Sequence, residues 1–300
     1  MRIPTLPAAY AESPPDLRPW WRVYCGDSRE MLDMLPADSV QCVATSPPYY
    51  WQRDYGVAGQ IGMESTVDGF VENLVSVFEG VRRVLSPTGV VFLNLGDTYY
   101  SAKGRPHGRD SKHVGRHLAR RQLRAVDGPG LGLPRKSLLG IPWRVALAMA
   151  DAGWTLRSEI IWVRRSSMPE PTAKDRPWRN HEHLFLFSKN ARYDFDRAGL
   201  ADEEDVWEIE PERGGSMRGE HHAPYPEALV ERCLRSGCQP GATVLDPFAG
   251  GGTTLAVAHR LRMSSIGVDL NPSFCDVVAR RMGSVTPERP RSGTRVAAAG

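Results

Sequence analysis

The sequence predicts an α/β fold built on a doubly wound, mostly parallel sheet with helices on both faces. Two observations carry this. Short apolar runs of strand length alternate along the chain with segments whose apolar residues recur at helical spacing. Near the C-terminus, a strand runs into Asp246-Pro247-Phe248-Ala249-Gly250-Gly251-Gly252-Thr253-Thr254, a glycine-rich turn that opens a helix, and Asp269 closes the next strand. A length of 300 residues suffices for one large domain, with or without an insertion.

The elements follow in order. Met1 to Pro19 is rich in Pro and Ala and has no continuous apolar core, so it does not read as a signal peptide. Residues 1–18 are expected to be a flexible arm, 19–288 the folded domain and 289–300 a disordered tail. Residues 20–27 read as a short strand, with Asp27 capping a helix from Ser28 to Leu35. Val40 to Ala44 is an apolar strand that Pro47 and Pro48 bring to an end. Phe70, Leu74, Phe78, Val81 and Leu85 recur at helical spacing until Pro87 and Gly89 stop the pattern, and Gly89 to Leu95 is a buried strand. Pro142 opens a helix that Gly153 closes. Ile160–Val163 and Leu184–Phe187 are strands, and the acidic run Asp202 to Glu212 reads as a surface loop. A helix from Pro226 to Leu234 leads to the strand Thr243–Leu245. The glycine turn, a helix from Thr253, the strand Ser265–Val268 and a helix capped by Asn271 complete the pattern.

Composition excludes several classes. With 41% hydrophobic and 24% charged residues, the chain is neither globally disordered nor membrane-spanning. Cys25, Cys42, Cys233, Cys238 and Cys275 form no C-x-x-C pair, which points to reduced thiols in the cytoplasm and away from a disulfide framework or a zinc site. His113 and His117 stand four apart but have no third ligand in view, so no metal is expected. The net charge of +3 is unevenly distributed: between Ser101 and Ser137 there are ten Lys or Arg against two acids. A charge run alone fits a solvated loop, but it also fits a nucleic-acid contact.

Two constellations carry chemistry. In the first, three consecutive glycines let the backbone approach a ligand at the carboxyl edge of the sheet, and Asp269 is placed to accept from both ribose hydroxyls of an adenosyl group. The G-G-G-T-T spacing departs from the dinucleotide fingerprint, and an acid before the turn, Asp246, suits a cationic sulfonium amino acid better than a pyrophosphate. The second is Thr45-Ser46-Pro47-Pro48-Tyr49-Tyr50-Trp51. Here the prolines stiffen the backbone, so that the Ser46 hydroxyl and the Pro47 carbonyl become fixed acceptors, and an aromatic follows to stack on a planar ring. An amino group on an aromatic base is a poor nucleophile because its lone pair is delocalised. Acceptors that hold both N–H bonds restore its sp³ character.

Together, T-S-P-P-Y and D-P-F-A-G-G-G-T-T resemble the amino-methyltransferases of DNA in their β arrangement, where the catalytic motif precedes the cofactor motif. Gly26-Asp27 resembles motif III and Gly89 to Asp97 resembles motif V. Gly140 to Trp143, Ile161-Trp162 and His181-Glu182-His183 resemble the middle of restriction-type members, and His222 to Leu229 resembles motif X. The resemblance implies a Rossmann-like methyltransferase fold with permuted motif order, with S-adenosylmethionine as cofactor and double-stranded DNA as partner. A homodimer and a cognate restriction endonuclease are further possible partners. It implies cofactor contacts from Asp27, Thr45, Asp246, Pro247, Phe248, Ala249, Gly250, Gly252, Thr253, Asp269 and Asn271, and a catalytic unit of Ser46, Pro47, Pro48 and Tyr49. Ser in the first position of S-P-P-Y goes in the family with N4 of cytosine, and Asp or Asn with N6 of adenine. A C5-cytosine enzyme needs a cysteine nucleophile, usually after a proline, and no cysteine here follows one. A short, acidic variable region at 190–220 leaves DNA readout to 101–137 and 164–180. The candidates there are Arg105, Arg109, Lys112, Arg116, Arg120, Arg121, Arg124, Arg135 and Lys136. The alternatives are an adenine-N6 enzyme, an RNA or protein amino-methyltransferase, and a catalytically silent DNA-binding protein of the same fold.

Overall fold

A computed structural model describes residues 8–102, 124–165, 170, 173–200, 204–211 and 225–285. Its nine strands are β1 (Ala11–Glu12), β2 (Trp21–Cys25), β3 (Val40–Thr45), β4 (Leu85–Leu95), β5 (Thr155–Val163), β6 (His181–Ser188), β7 (Val206–Glu208), β8 (Thr243–Asp246) and β9 (Ser264–Asp269). Six helices join them: α1 (Ser28–Met34), α2 (Val67–Val84), α3 (Ile141–Asp151), α4 (Glu227–Gly237), α5 (Thr253–Arg260) and α6 (Pro272–Met282). The strands form one sheet in the order β1-β2-β9-β8-β3-β4-β6-β5-β7. The five from β2 to β4 are mutually parallel, β6 runs antiparallel to both neighbours, and β7 is parallel to β5.

Strand alternation assigns each residue to a face. On β4, Val91, Leu93 and Leu95 pack with Phe70, Leu74, Phe78 and Val81 of α2 and with Val145 and Met149 of α3, while Val90 and Phe92 pack on the other side with Leu229, Val230 and Cys233 of α4. The second face is completed by α5 and α6, whose Leu255, Ala256, Val278 and Met282 cover Trp21 and Val23 of β2. Helix starts follow the side chains: Asp27, Thr66 and Asn271 each accept from a first-turn N–H.

Three expectations are corrected. The acidic run 202–212 is not simply a surface loop, because β7 lies within it and buries Trp207 and Ile209 against α4; the apolar residues between the acids decide this. Of the expected flexible arm, the part from Ala8 onward is tied down. There β1 pairs antiparallel with β2, and the Tyr10 hydroxyl donates to Asp276 at 2.7 Å. Pro87 lies within β4 rather than between elements: α2 ends at Val84 and the chain turns extended at Leu85. Residues 1–7 of the arm and the tail 289–300 lie outside the described residues. All five cysteines are free thiols. Among the described residues no helix is long and apolar enough to cross a membrane.

Candidate active site

The carboxyl ends of β3, β4, β8 and β9 meet where the chain leaves the sheet in opposite directions, the position at which open α/β sheets bind ligands. A cavity of about 560 Å³ opens there. Its lining draws on both predicted constellations: Ser46, Pro47, Pro48 and Tyr49 from the end of β3, and Phe248, Ala249, Gly250, Gly251 and Thr253 from the turn after β8. Asp27, Asp269 and Asn271 also line it. Residues about two hundred apart in sequence therefore share one chamber.

Its cofactor end is rigid by construction. Gly252, at φ +74°, takes the left-handed conformation that opens α5 and favours glycine, and a Cβ there would also press on Val278 at 3.2 Å. Asp269 accepts from the N–H groups of Gly250 and Asn271 at 2.8 and 2.9 Å, and burial pushes its carboxyl up to about 6. The Ser28 hydroxyl donates to the Pro247 carbonyl at 2.5 Å and ties α1 to the turn. Asp27 lines the cavity, and its carboxylate is held below the usual range chiefly by its hydrogen bond with Arg29. Beyond Asn271, the ring of Tyr55 meets Phe274 edge-on at 5.9 Å.

Asp246 has a different task from the one its position suggested. It is 1% exposed and does not line the cavity. Its oxygens accept from Thr45 Oγ1 and Thr254 Oγ1, both at 2.7 Å, and from the Phe248 N–H at 3.0 Å. Burial raises its pKa, and these hydrogen bonds oppose the rise. Thr45 thus acts through Asp246, and the pair locks the catalytic strand to the cofactor turn. Tyr225 completes the lock with its hydroxyl against Thr254 and 3.1 Å from the Ala44 carbonyl.

At the other end, the Ser46 hydroxyl donates to Tyr49 Oη at 3.3 Å, and Tyr49 Oη donates to Glu182 Oε2 at 2.5 Å. Asn94, fully buried on β4, places Nδ2 2.8 Å from Tyr49 Oη and 3.0 Å from Glu182 Oε2. Arg164, one residue past β5, donates to Glu182 Oε1 at 3.3 Å. Burial, and then the negative charge of Glu182, raise the Tyr49 phenol well above its ordinary range. Tyr49 packs so closely on Gly96 that a Cβ there would lie 2.5 Å from the ring. The ring is therefore fixed by its hydroxyl and one face, in addition to any stacking it offers.

The sequence reading did not single out Asn94, Glu182 or Arg164 as site residues. Asn94 left a signal as a lone polar residue in the apolar run Val90–Leu95. Glu182 stood only within the His181-Glu182-His183 resemblance, with no role attached, and it reaches the site because β6 runs antiparallel and brings its first residues to the edge where parallel strands end. Of the expected DNA contacts, Arg105, Arg109, Lys112, Arg116, Arg120 and Arg121 lie outside the described residues, as do His113 and His117. The three that are described have partners within the protein. Arg124 pairs at 2.5 Å with Asp127, which is 2% exposed, so it neutralises a buried carboxylate and is not free for phosphate. Arg135 donates to the Ser101 carbonyl, and Lys136 pairs with Asp175.

A family model described as DNA methylase matches residues 40–280. Among curated relatives, the Type II methyltransferase M.Cfr9I of Citrobacter freundii is 38% identical over 266 residues, covering 86% of each chain. M.XycI of Xanthomonas campestris pv. cyanopsidis is 40% identical with the same coverage. M.SmaI of Serratia marcescens is 36% identical over 272 residues, 87% of this chain and 90% of its own. Among solved structures, the PvuII DNA methyltransferase, described as cytosine-N4-specific, superposes with a TM-score of 0.64 at 21% identity and covers 89% of this chain and 94% of its own. TTHA0409 of Thermus thermophilus, complexed with S-adenosyl-L-methionine, gives 0.62 at 23% identity, with 91% and 99% covered. The cavity fits that cofactor: glycine backbone and the Asp269 carboxylate line one end, and the Ser46 motif lines the other. The chain belongs to the DNA methylase family and is a β-class DNA amino-methyltransferase with S-adenosylmethionine as its cofactor.

Proposed function

We propose that the chain methylates N4 of cytosine within a specific sequence of double-stranded DNA, after the base has been flipped out of the stack. The observation that carries this is Ser46. At the position before Pro47-Pro48-Tyr49, facing the cavity, stands a neutral hydroxyl and not a carboxylate or carboxamide. The likeness to the PvuII enzyme, at 21% identity, speaks for the fold, so the choice of base rests on Ser46.

In this reading the Ser46 hydroxyl and the Pro47 carbonyl accept the two amino hydrogens, and Pro48 and Tyr49 hold that pair rigid. Bound S-adenosylmethionine supplies an electrophilic methyl group. Asp269 holds its ribose, and the turn from Pro247 to Thr253, with Asp27 and Asn271, encloses the rest. Preorganised acceptors cost no reorganisation as charge develops on the nitrogen. The basic residues from Arg105 to Arg121 hold the DNA backbone, and a restriction endonuclease of the same specificity is the expected companion of a Type II enzyme. Ser46→Ala is expected to lower the methylation rate about 10² to 10³-fold, as for loss of one transition-state hydrogen bond, with little change in cofactor or DNA affinity. Mass spectrometry of nucleosides from DNA methylated by each protein decides. N6-methyladenine alone from the parent refutes the cytosine assignment, and a fully active Ala variant refutes the role of Ser46.

A further inference from the structure

We propose that Glu182 is the terminal acceptor of the proton released by the methylated amino group, which reaches it through Ser46 and Tyr49. This rests on the reading of Ser46 as the acceptor of one amino hydrogen, and it holds for either base.

The chemistry requires such an exit. As the new N–CH3 bond forms and the S–CH3 bond breaks, the amino nitrogen becomes cationic and must lose one proton to give a neutral product. Ser46 Oγ, which accepts that N–H, donates its own hydrogen to Tyr49 Oη at 3.3 Å, and Tyr49 Oη donates to Glu182 Oε2 at 2.5 Å. Every hydrogen in the chain points away from the cavity and toward the carboxylate. Passing one proton along it leaves Ser46 and Tyr49 neutral and Glu182 protonated. The 3.3 Å link is the longest, as catalytic hydrogen bonds often are before substrate binds.

Three further features make Glu182 an acceptor and not merely a structural carboxylate. Asn94 Nδ2 lies 3.0 Å from Oε2; a carboxylate only accepts, which fixes that amide with its nitrogen toward the chain. The Oδ1 atom of Asn94 is buried with no partner, so the residue is kept for what its nitrogen orients. On the other side Arg164, a quarter exposed, holds Oε1, and this outer flank gives the proton a way to solvent. Among the described residues, the titratable and charged groups that face Glu182 are Tyr49 from the loop after β3 and Arg164 from the end of β5. Its strand neighbours His181 and His183 alternate to the opposite face, where His183 meets Glu159. The raised Tyr49 phenol stays protonated at rest, so it takes a proton from Ser46 as it gives its own to Glu182 and no phenolate forms.

Single-turnover methylation of a DNA duplex across pH tests this with Glu182→Gln, Tyr49→Phe and the double variant, with S-adenosylmethionine affinity measured by calorimetry to certify each fold. The expected result is a loss of about 10²-fold in rate for either single variant, with cofactor affinity kept. The acid limb of the parent's rate profile should flatten in Glu182→Gln, and the double variant should be no slower than the worse single one. Glu182→Asp should recover part of the rate and restore the acid limb. A Glu182→Gln enzyme with the parent's rate and profile overturns the relay, as do single losses that multiply in the double variant. Ser46→Ala in the same series separates the two readings. If it is fully active, the assignment of Ser46 fails. If it is slow while Glu182→Gln matches the parent, only the relay fails.

Discussion

Asp269 carries opposite consequences for stability and for binding, because one carboxyl serves both. Burial raises it from an ordinary 3.8 to about 6. A carboxyl with a folded value above its unfolded one binds more protons when folded. Its burial therefore destabilises the fold fully above about pH 6, and the penalty fades as pH falls toward 3.8. Cofactor binding has the reverse sign, since ribose hydroxyls donate best to the ionised carboxylate. S-adenosylmethionine affinity should weaken as pH falls below about 6 in the parent. Asp269→Ala should bind the cofactor weakly at every pH while DNA affinity stays nearly intact. Calorimetric titration of both ligands on either side of pH 6 checks this, and an Ala variant with the parent's cofactor affinity refutes the assignment. Asp246, in contrast, is sealed in by Thr45, Thr254 and Phe248, so its effect on the cofactor passes through the shape of the turn.

At the scale of elements, β7 shows how a few apolar residues outweigh the polar ones around them. Its three residues lie within an acidic stretch, yet Trp207 is 2% exposed, donates from Nε1 to the Glu204 carbonyl at 3.0 Å and lies under Arg232, whose guanidinium is 5.3 Å from its ring. Trp162 of β5 fixes the same corner by donating to the Ile209 carbonyl at 3.0 Å. Trp207→Ala should destabilise the fold by about 3–5 kcal/mol, as large buried aromatics do, read as a lower urea midpoint. A midpoint within error of the parent's would show β7 to be an ornament on the sheet edge. The same corner carries Arg164, so this variant should also slow methylation.

For the whole molecule the open question is how a chain of net charge +3 holds a polyanion. Arg124, Arg135 and Lys136 have partners within the protein, so the binding field is expected from residues 103–123, which carry seven Lys or Arg against one acid. Each phosphate neutralised adds about 0.9 to the slope of log affinity against log salt. Replacing 103–123 by a short Gly-Ser linker keeps the Arg124–Asp127 pair and should flatten that slope by several units, with cofactor affinity unchanged. Fluorescence anisotropy with a labelled duplex at several salt concentrations measures it. A linker variant with the parent's slope would assign the field elsewhere.

The sequence by itself determined the alternating α/β pattern, the helix caps at Asp27 and Asn271, the permuted order of the two motifs and part of the lining at each end of the cavity. These are local properties: periodicity, capping and turn chemistry are written in neighbouring residues. Only the tertiary structure decided which strand lies beside which, and three consequences follow. An antiparallel β6 delivers Glu182 to the edge where β3 and β4 end, though 133 residues separate it from Tyr49. The pairing of β5 with β7 turns part of an apparent loop into a sheet edge. The closeness of β3 to β8 takes Asp246 out of the cavity and into a bond with Thr45. Each is set by packing between residues far apart in the chain, and the free energy of that packing depends on all the other elements being in place, so no window of sequence contains it.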